Sequence, residues 1–511
     1  MPVTVSYPGV YVEELPSGTR TVTGVSTAIT AFVGRAARGP VDKAILVHSF
    51  TGYERTFGGL AKYSKMSYAV NQYFQNGGAA AIITRVHNGA ATASYNTGSD
   101  NLALTFEAAN PGTWGNNLTI TMDPVNINTE DDDASRLFNL NIVDNKTQVI
   151  ENYLNLSINE NSPRFVKDVL EQESSLIRFP GDVPQDVEVG DVVLVLVLDD
   201  ANKGADGDLL TSNNVKGSEA SKTGIYSLDN TDLFNMLCIP PDTKDDTHLQ
   251  AAYTDALSYC KSKRAILLID PPSTWNDKDD AKLGIDNTAE RGQYKNENAA
   301  IFFPHLTMRN SLNDNKLETF APCGAVAGVI ARNDGQRGVW KAPAGIEATL
   351  AGVSDLQVRL TDKENGVLNP MGINCLRILP GMGAVVWGSR TMRGADILAD
   401  QWKYLPVRRT ALYIEESLYR GTQWVVFEPN DEPLWSQIRL NIGAFMHDLF
   451  IKGAFQGTNP KDAYLVKCDK ETTTQYDIDR GIVNILVGFA PLKPAEFVIL
   501  KIQQLAGQEK K

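Results

Sequence analysis

The two ends of this 511-residue chain carry extended segments that fit no core of their own. Near the N-terminus, Tyr7-Pro-Gly-Val-Tyr-Val-Glu-Glu-Leu-Pro-Ser-Gly18 alternates Val10 and Val12 with larger polar or aromatic neighbours. Its two prolines disfavour a helix and confine a strand to a sheet edge, so the segment is predicted to be extended. Near the C-terminus, residues 481–489 and 495–502 are typical of two strands joined by a short Ala-Pro-Leu-Lys-Pro turn. Because free strand edges allow β-augmentation, both ends predict contacts with neighbouring chains.

These two arms are long enough to tie copies of the chain together. An extended segment of roughly 15 residues reaches about 50 Å, and each backbone hydrogen bond contributes on the order of 1 kcal/mol net. Several bonds per arm are therefore expected to hold an assembly. The residues predicted to make these inter-subunit contacts are Tyr7, Val10, Tyr11, Val12, Ile485, Val487, Phe489, Phe497 and Ile499.

Length, charge and cysteine usage narrow the class of protein. A chain of 511 residues exceeds a single hydrophobic core and predicts about two to four domains. The formal net charge of −13 argues against nucleic acid as the main partner, because phosphate binding needs a clustered basic surface. Five widely spaced cysteines without a CxxC pair fit folding in a reducing cytoplasm. No secretory signal and no membrane span are predicted, so direct membrane insertion is not expected.

The periodicity along the chain predicts a multidomain α/β (α+β) fold. Strand-like and helical stretches alternate in the first and third quarters, and a segment of short strands and polar loops separates them. The predicted divisions are an extended N-terminal arm at 1–20, the first part of an α/β domain at 21–94, an inserted β-rich domain at 95–220, the second part of the α/β domain at 221–369, and a C-terminal domain with the second arm at 370–505.

The C-terminal domain carries the clearest local patterns. Cys375–Leu379 and Ala384–Trp387 flank a Pro-Gly-Met-Gly turn and predict a hairpin. A later helix is predicted to begin within Asn430-Asp-Glu-Pro433, which supplies cap candidates, early acids and a first-turn proline, and to end at Gly453. Its apolar stripe is expected to pack in its own domain, with docking on a partner as the alternative. The stripe consists of Trp435, Ile438, Ile442, Phe445 and Leu449.

Short motifs spread over the whole chain add a family resemblance. They are YPGVYVEE at 7–14, GVSTAITAFVGRAARGP at 24–40, Phe57-Gly-Gly59, Asn110-Pro-Gly-Thr-Trp-Gly-Asn116, WVVFEPN at 424–430, Leu434-Trp435, Gly453-Ala-Phe-Gln-Gly457 and Ala490-Pro…Pro494-Ala-Glu-Phe497. In order and spacing these motifs resemble the tail sheath family of contractile phage tails and phage-tail-like injection particles.

The resemblance implies a mechanical function. Subunits of such a sheath stack around an inner tube in an extended, metastable helix, and a baseplate trigger lets them contract and drive the tube into a target membrane. The implied partners are other copies of the chain, the inner tube protein, and baseplate and terminator or cap proteins. Because the C-terminal domain of sheaths lies next to the tube, Arg439 and Lys452 on the polar face of the last long helix are candidate tube-facing residues.

The α/β region of the sheath family resembles subtilisin, which raises the question of catalysis. None of the five histidines is followed by glycine, and neither Gly-Thr-Ser-Met nor GxSxG occurs. A P-loop, HExxH, GxGxxG and a Cys/His cluster are also missing from the sequence. Asp270 ends a predicted strand, but its Pro-Pro neighbours favour a structural stop. Asp199, Asp200, Asp206 and Asp208 lack EF-hand spacing and are expected to form a solvated acidic turn. The chain is therefore predicted to be non-enzymatic, without a cofactor or metal; an α/β enzyme is the remote alternative.

Two settings for a sheath remain open from the sequence. A phage virion tail and an extracellular phage-tail-like particle both require assembly in the bacterial cytoplasm and release by lysis. The sequence does not distinguish a virion tail from an extracellular particle. A type VI secretion sheath is disfavoured, because that sheath is divided between two polypeptides whereas this chain carries both ends.

Overall fold

The chain divides into two compact units. The structure is a computed structural model that describes residues 21–97, 104–124, 137–181, 192–243 and 249–501. The α/β unit comprises the described parts of Ala28–Gly335 together with Pro343–Lys403. The C-terminal unit comprises the described parts of Met1–Thr27 and Tyr404–Lys511, together with Gln336–Ala342.

The strands are, in chain order, β1 Thr30–Gly34, β2 Ala44–Val47, β3 Ala81–Arg85, β4 Ser94–Asn96, β5 Thr105–Ala108, β6 Leu118–Pro124, β7 Leu137–Asp144, β8 Ile150–Ser157, β9 Ile177–Arg178, β10 Leu194–Val195, β11 Met236–Cys238, β12 Ile266–Ile269, β13 Ala299–Phe303, β14 Leu306–Asn310, β15 Lys316–Phe320, β16 Asp355–Leu356, β17 Asn374–Leu379, β18 Gly383–Val386, β19 Tyr464–Lys467 and β20 Leu486–Phe489.

The α-helices are α1 Phe50–Phe57, α2 Lys65–Gln75, α3 Val166–Glu173, α4 Ser212–Lys216, α5 Gln250–Ser262, α6 Lys278–Asp286, α7 Cys323–Arg337, α8 Asp362–Leu368, α9 Leu405–Gly421, α10 Glu432–Ile451, α11 Pro460–Ala463 and α12 Gln475–Asp479. None of these described helices has the length and hydropathy needed to cross a membrane.

Eight of the described strands form the central sheet of the α/β unit, in the order β18-β17-β13-β12-β11-β1-β3-β2. The six inner strands are parallel, whereas β2 and β18 are antiparallel edge strands. The inner strands β1, β3, β11, β12 and β13 are buried along their whole length. Burial on both faces explains why these strands are continuous apolar runs in the sequence.

Helices cover both faces of this sheet. On one face, Ala31, Val33 and Leu267 belong to a core that includes Tyr253 of α5 and Ile285 of α6. On the other face, the Phe32 ring contacts the Tyr73 ring of α2, with ring centroids 5.6 Å apart. The fold is therefore the layered α/β arrangement that the sequence predicts.

Helices α2 and α7 approach each other unusually closely on that second face. A Cβ atom at Gly324 of α7 would lie 2.1 Å from the Ala69 carbonyl oxygen, and one at Gly328 would lie 2.5 Å from the Tyr73 carbonyl oxygen. Only glycine permits this approach at Gly324, because the obstacle is backbone. The small residues of α7 thus serve contact with another helix as well as packing on the sheet.

The β-rich insertion has a hydrophobic core of its own. Its described strands form a sheet in the order β10-β6-β7-β8 and a smaller one in the order β4-β5-β9. The core residues run from Ala93 to Leu198. Leu210 and Val215 already belong to the core of the central sheet. The backbone therefore returns to the α/β core by Leu210, ahead of the predicted end of the insertion at 220.

The hairpin predicted at 375–387 is present, but it lies in a different unit from the one predicted. β17 and β18 pair antiparallel, and β17 pairs in parallel with β13 of the central sheet. The C-terminal unit begins at Tyr404. The predicted boundary at 370 differs because a hairpin pattern identifies two strands, whereas their third neighbour comes from some 70 residues earlier in the chain.

Candidate functional site

The C-terminal unit is built around α10, which begins and ends as its sequence predicts. The Asp431 carboxylate accepts a hydrogen bond from the Glu432 N–H, Pro433 lies in the first turn, and Gly453 follows the helix with a φ of 75°. The five residues of the apolar stripe are all buried in the core of this unit. The prediction that the stripe packs in its own domain is confirmed, so it is not a docking surface.

Strand β20 pairs with β19, not with the segment that follows it. The register aligns Tyr464 with Phe489 and Lys467 with Leu486. The prediction of a hairpin between 481–489 and 495–502 is therefore wrong, and no strand occurs in the described part of that second segment, 495–501. Pro491 and Pro494 account for the difference, because proline lacks the N–H that a strand ladder needs.

Three predicted arm residues, one just before β20 and two within it, pack against the core of the C-terminal unit. Ile485, Val487 and Phe489 are half-buried and pack against that core. The Phe489 and Phe455 ring centroids are 5.6 Å apart. These three residues thus serve their own chain's fold, and any contact with a neighbour would use the strand edge or the outer face.

The outer face of the two-stranded sheet is exposed and carries two leucines beside Lys467. Leu465 and Leu486 point away from the core and are exposed. Within the described residues the sheet consists of β19 and β20 alone. An edge of each strand is consequently open to addition of a further strand.

After β20 the chain presents four consecutive exposed apolar side chains. Phe497, Val498, Ile499 and Leu500 are 72–82% exposed. Single exposed apolar residues are common on protein surfaces, but a contiguous run marks an interaction site. The structure therefore places Phe497 and Ile499 of the predicted arm in a run whose side chains are exposed among the described residues.

The N-terminal arm falls outside the described residues, and with it Tyr7, Val10, Tyr11 and Val12. Residues 22–27, the strap, run beside α9. The Val25 N–H donates to Ser417 Oγ at 3.2 Å, and Arg409 Nη2 donates to the Thr27 carbonyl at 2.9 Å. This strap fixes the point at which the N-terminal segment joins the C-terminal unit.

Both candidate tube-facing cations form ion pairs with α10 carboxylates. Arg439 Nη2 lies 2.6 Å from Glu432 Oε1, and the Arg439 guanidinium also donates to the Cys468 carbonyl. Lys452 Nζ lies 2.7 Å from Asp448 Oδ2. The hydrogen bond from Arg439 lowers the pKa of Glu432, and the one to Asp448 raises the pKa of Lys452. Arg439 is thus held by two groups of its own unit, whereas Lys452 and its partner Asp448 are both exposed.

Phe427 is a candidate contact residue that sequence reasoning did not single out. Its side chain is fully exposed, and its φ of 69° lies in the left-handed region. A bulky non-glycine residue in that region is uncommon and is often associated with function. The neighbouring Asn430 anchors this loop by donating to the Ile482 carbonyl at 3.0 Å. The only sequence signal is that Phe427 lies inside the WVVFEPN motif.

Two of the aspartates considered for chemistry, Asp270 and Asp206, have structural partners. Buried Asp270 accepts a hydrogen bond from the Cys323 N–H at 2.9 Å, at the start of α7. Asp206 accepts hydrogen bonds from the Thr113 N–H and hydroxyl and so anchors a loop. Asp199, Asp200 and Asp208 are exposed, as the sequence predicts for a solvated acidic turn. In the part of the chain that the structure describes, no group of three or more His, Cys, Asp or Glu side chains is placed to hold a metal ion.

Two family models match the chain in sequence. The phage tail sheath protein central domain matches residues 220–392, and the phage tail sheath C-terminal domain matches residues 399–504. Together they account for more than half of the chain. The chain belongs to the phage tail sheath family. The central-domain match includes the β17–β18 hairpin of this sheath subunit, and the C-terminal match begins after it.

Solved structures agree over nearly the full length of the sheath subunit. The contracted helical sheath of the anti-feeding prophage is 25% identical, covers 98% of this chain and 100% of its own, and superposes with a TM-score of 0.58. The contracted sheath complex of PVC, an extracellular contractile injection system, is 22% identical over 98% and 99%, with a TM-score of 0.59. A sheath tail protein of Listeria innocua shares the fold at 14% identity over 92% and 96%, with a TM-score of 0.58. Among curated proteins, no sequence matches the chain significantly.

Proposed function

We propose that this sheath subunit polymerises into a helical cylinder around an inner tube and that its two arms join neighbouring subunits. The observation that carries the proposal is the run of exposed apolar side chains at 497–500, in a unit whose described β19–β20 sheet has only two strands. Each large apolar side chain contributes about 1.5–3 kcal/mol when it is fully buried. A neighbour that covers this run therefore gains substantially, and the arm is the natural donor of an added strand.

The N-terminal arm is the second donor in this proposal. The strap at 22–27, which follows the arm in the chain, is bound to α9 in the same unit as the β19–β20 sheet. In the arm itself, alternating apolar contacts are proposed for Tyr7, Val10, Tyr11 and Val12. A strand added at each edge of the sheet satisfies backbone groups that the isolated chain leaves to solvent. Phe427 and the outer-face residues Leu465 and Leu486 are further contact positions.

Contraction in this proposal draws on subunit contacts. The extended sheath is a kinetic trap whose contacts improve when the subunits reorient, and the arms keep the lattice joined meanwhile. The sheath subunit itself carries out no catalysis, binds no nucleotide and uses no metal. The aspartate at the end of β12 supports this proposal, because its carboxylate anchors a helix.

The tube-facing surface is proposed to be the exposed face of α10. Gln437, Leu440, Ala444 and Ile451 are exposed along one side of this helix, opposite the buried stripe. Arg439 and Lys452 border that side. An acidic tube group would have to exchange with Glu432 or Asp448 to engage them, which makes Lys452 the more accessible cation.

The remaining partners follow from a sheath's place in an injection apparatus. Baseplate and terminator or cap proteins contact its two ends, nucleic acid is not a partner, and the inner tube, not the sheath, reaches the target membrane. Assembly takes place in the bacterial cytoplasm, and lysis releases either a virion or an extracellular particle. Capsid genes beside the sheath gene identify the virion, and their absence identifies the particle.

Removal of residues 1–18 tests the arm proposal. The shortened chain is expected to remain a folded monomer by circular dichroism and light scattering, yet to form no cylinders in electron microscopy when produced with the tube protein. Normal cylinders from the shortened chain would contradict the proposal.

A matched pair of substitutions tests the second arm. Ile499→Ser is expected to reduce assembly, whereas Leu283→Ser, at a similarly exposed position on α6, is expected to leave it intact.

A further inference from the structure

The α/β unit contains a cavity of about 190 Å³ that the sheath function does not use. It lies beyond the carboxyl ends of three adjacent parallel strands, since Pro240 follows β11, Pro271 follows β12 and His305 follows β13. Strand β1 has β3 on one side and β11 on the other, so the strand order reverses next to this site. Ligands of open α/β sheets bind in this position, outside the carboxyl ends of the strands near such a reversal.

One face of α2 forms a wall of the cavity. Lys65, Tyr68, Ala69 and Gln72 follow the spacing of one helical face, and all four line the cavity. The Tyr68 hydroxyl has a partner, because it donates to Asn310 Oδ1 at 2.9 Å. The Tyr68 ring also lies under the Lys65 ammonium, which is 5.6 Å from the ring centroid. These contacts hold the wall in place around Gln72.

Gln72 is the polar group in this wall that its surroundings leave unpaired. Its side chain is 1% exposed, and neither Oε1 nor Nε2 has a hydrogen-bond partner among the described residues. A buried amide without partners destabilises the folded chain, because it loses its hydrogen bonds to water and gains none. A leucine or methionine would avoid that cost at this position, so the amide at the cavity wall indicates a ligand that pairs with it.

The other polar side chains of the lining are mostly uncharged. Gln357 Oε1 is buried and also without a partner among the described residues, and Asn276, Ser273 and Thr243 add further amide and hydroxyl groups. Lys65 is the one formally charged residue among the described residues that line the cavity, and no carboxylate lies among them. The lining therefore offers both donors and acceptors.

We propose that this cavity binds a small molecule that carries a carboxamide group. An amide offers an N–H and a carbonyl side by side, so it can donate to Gln72 Oε1 and accept from Gln72 Nε2 at once. A carboxylate of the same shape accepts only and leaves Oε1 unpaired. The cavity is smaller than typical pockets for drug-sized ligands, which are about 300–1,000 Å³. It therefore suits a molecule of amino-acid size or less.

Matched pairs of small molecules test this proposal on the purified full-length chain. Saturation-transfer NMR is measured with acetamide, nicotinamide and L-glutamine against acetate, nicotinate and L-glutamate. At least one amide is expected to bind about tenfold or more tightly than its carboxylate counterpart. Gln72→Met is expected to weaken that binding about tenfold or more, whereas Gln75→Met, on the exposed side of the same helix, is expected to leave it unchanged.

A thermal melt separates a ligand-binding role from a structural one. If the amide is retained for a ligand, Gln72→Met removes an unpaired buried group and is expected to raise the Tm of the ligand-free chain by roughly 3 °C. A fall in Tm for Gln72→Met would overturn the proposal, because the amide would then be part of the fold. Equal binding of amides and carboxylates, binding unchanged by Gln72→Met, or no binding of any amide would also overturn it.

Discussion

The central sheet and the β19–β20 sheet differ in how far residues of their own chain cover them. The inner strands of the central sheet are buried on both faces by helices of the same chain. The β19–β20 sheet buries one face, exposes Leu465 and Leu486 on the other, and continues into the apolar run 497–500. The contrast separates apolar residues that fold the subunit from apolar residues that are left for its neighbours.

The largest expected difference lies between two phenylalanines of the C-terminal unit. Phe445 is buried in its core and Phe497 is 72% exposed. Phe445→Ala is expected to cost about 3–5 kcal/mol of unfolding free energy through the cavity it leaves. Phe497→Ala is expected to change stability by no more than about 0.5 kcal/mol and to reduce cylinder formation instead. Denaturant midpoints and electron microscopy measure the two effects, and a large stability loss in Phe497→Ala would break the distinction.

A second matched pair tests how closely helices pack within the α/β unit. Gly324→Ala forces a Cβ atom against the Ala69 carbonyl and is expected to cost about 3 kcal/mol. Gly335, on the same helix, has nothing among the described residues within 4 Å of an added Cβ, so Gly335→Ala is expected to stabilise the helix by up to about 1 kcal/mol. Thermal melts of both variants check the signs. Equal tolerance of the two substitutions would mean that α2 and α7 do not pack closely.

The smallest expected effect concerns the ion pair at the border of the tube-facing side. The hydrogen bond from Arg439 lowers the pKa of Glu432 below its ordinary value of 4.5. Its contribution to stability is therefore present above that value and is lost as the pH falls through the lower, folded-state pKa. Glu432→Gln is expected to be slightly less stable than the parent at pH 7 and equal to it in strong acid. High salt should also reduce the difference, and a difference that persists at low pH would contradict the assignment.

Local patterns predicted α10 well because everything they require is close in sequence. Asp431, Pro433 and Gly453 mark its ends, and the 3.6-residue spacing marks its buried stripe. Strand pairing was harder to predict from the sequence. The β17–β18 hairpin was recognised, but its pairing with β13 joins residues far apart in the chain, and β20 pairs with an earlier strand instead of the following segment.

The candidate sites show the same limit. The exposed arm residues Phe497 and Ile499 could be named from an apolar run that follows two prolines. Gln72 could not, since the cavity around it joins α2 to loops some 170 to 285 residues away. Phe427 required the backbone conformation. Partners that are distant in sequence leave no local period or motif to read.

The most direct test of the assembly account is a cryo-electron microscopy reconstruction of cylinders formed by the full-length chain with its tube protein. We predict that the β19–β20 sheet gains strands from neighbouring subunits, contributed by residues 6–14 and 495–502, and that the Phe497–Leu500 side chains are buried in those contacts. A cylinder in which this sheet remains two-stranded and 497–500 stay exposed would contradict it.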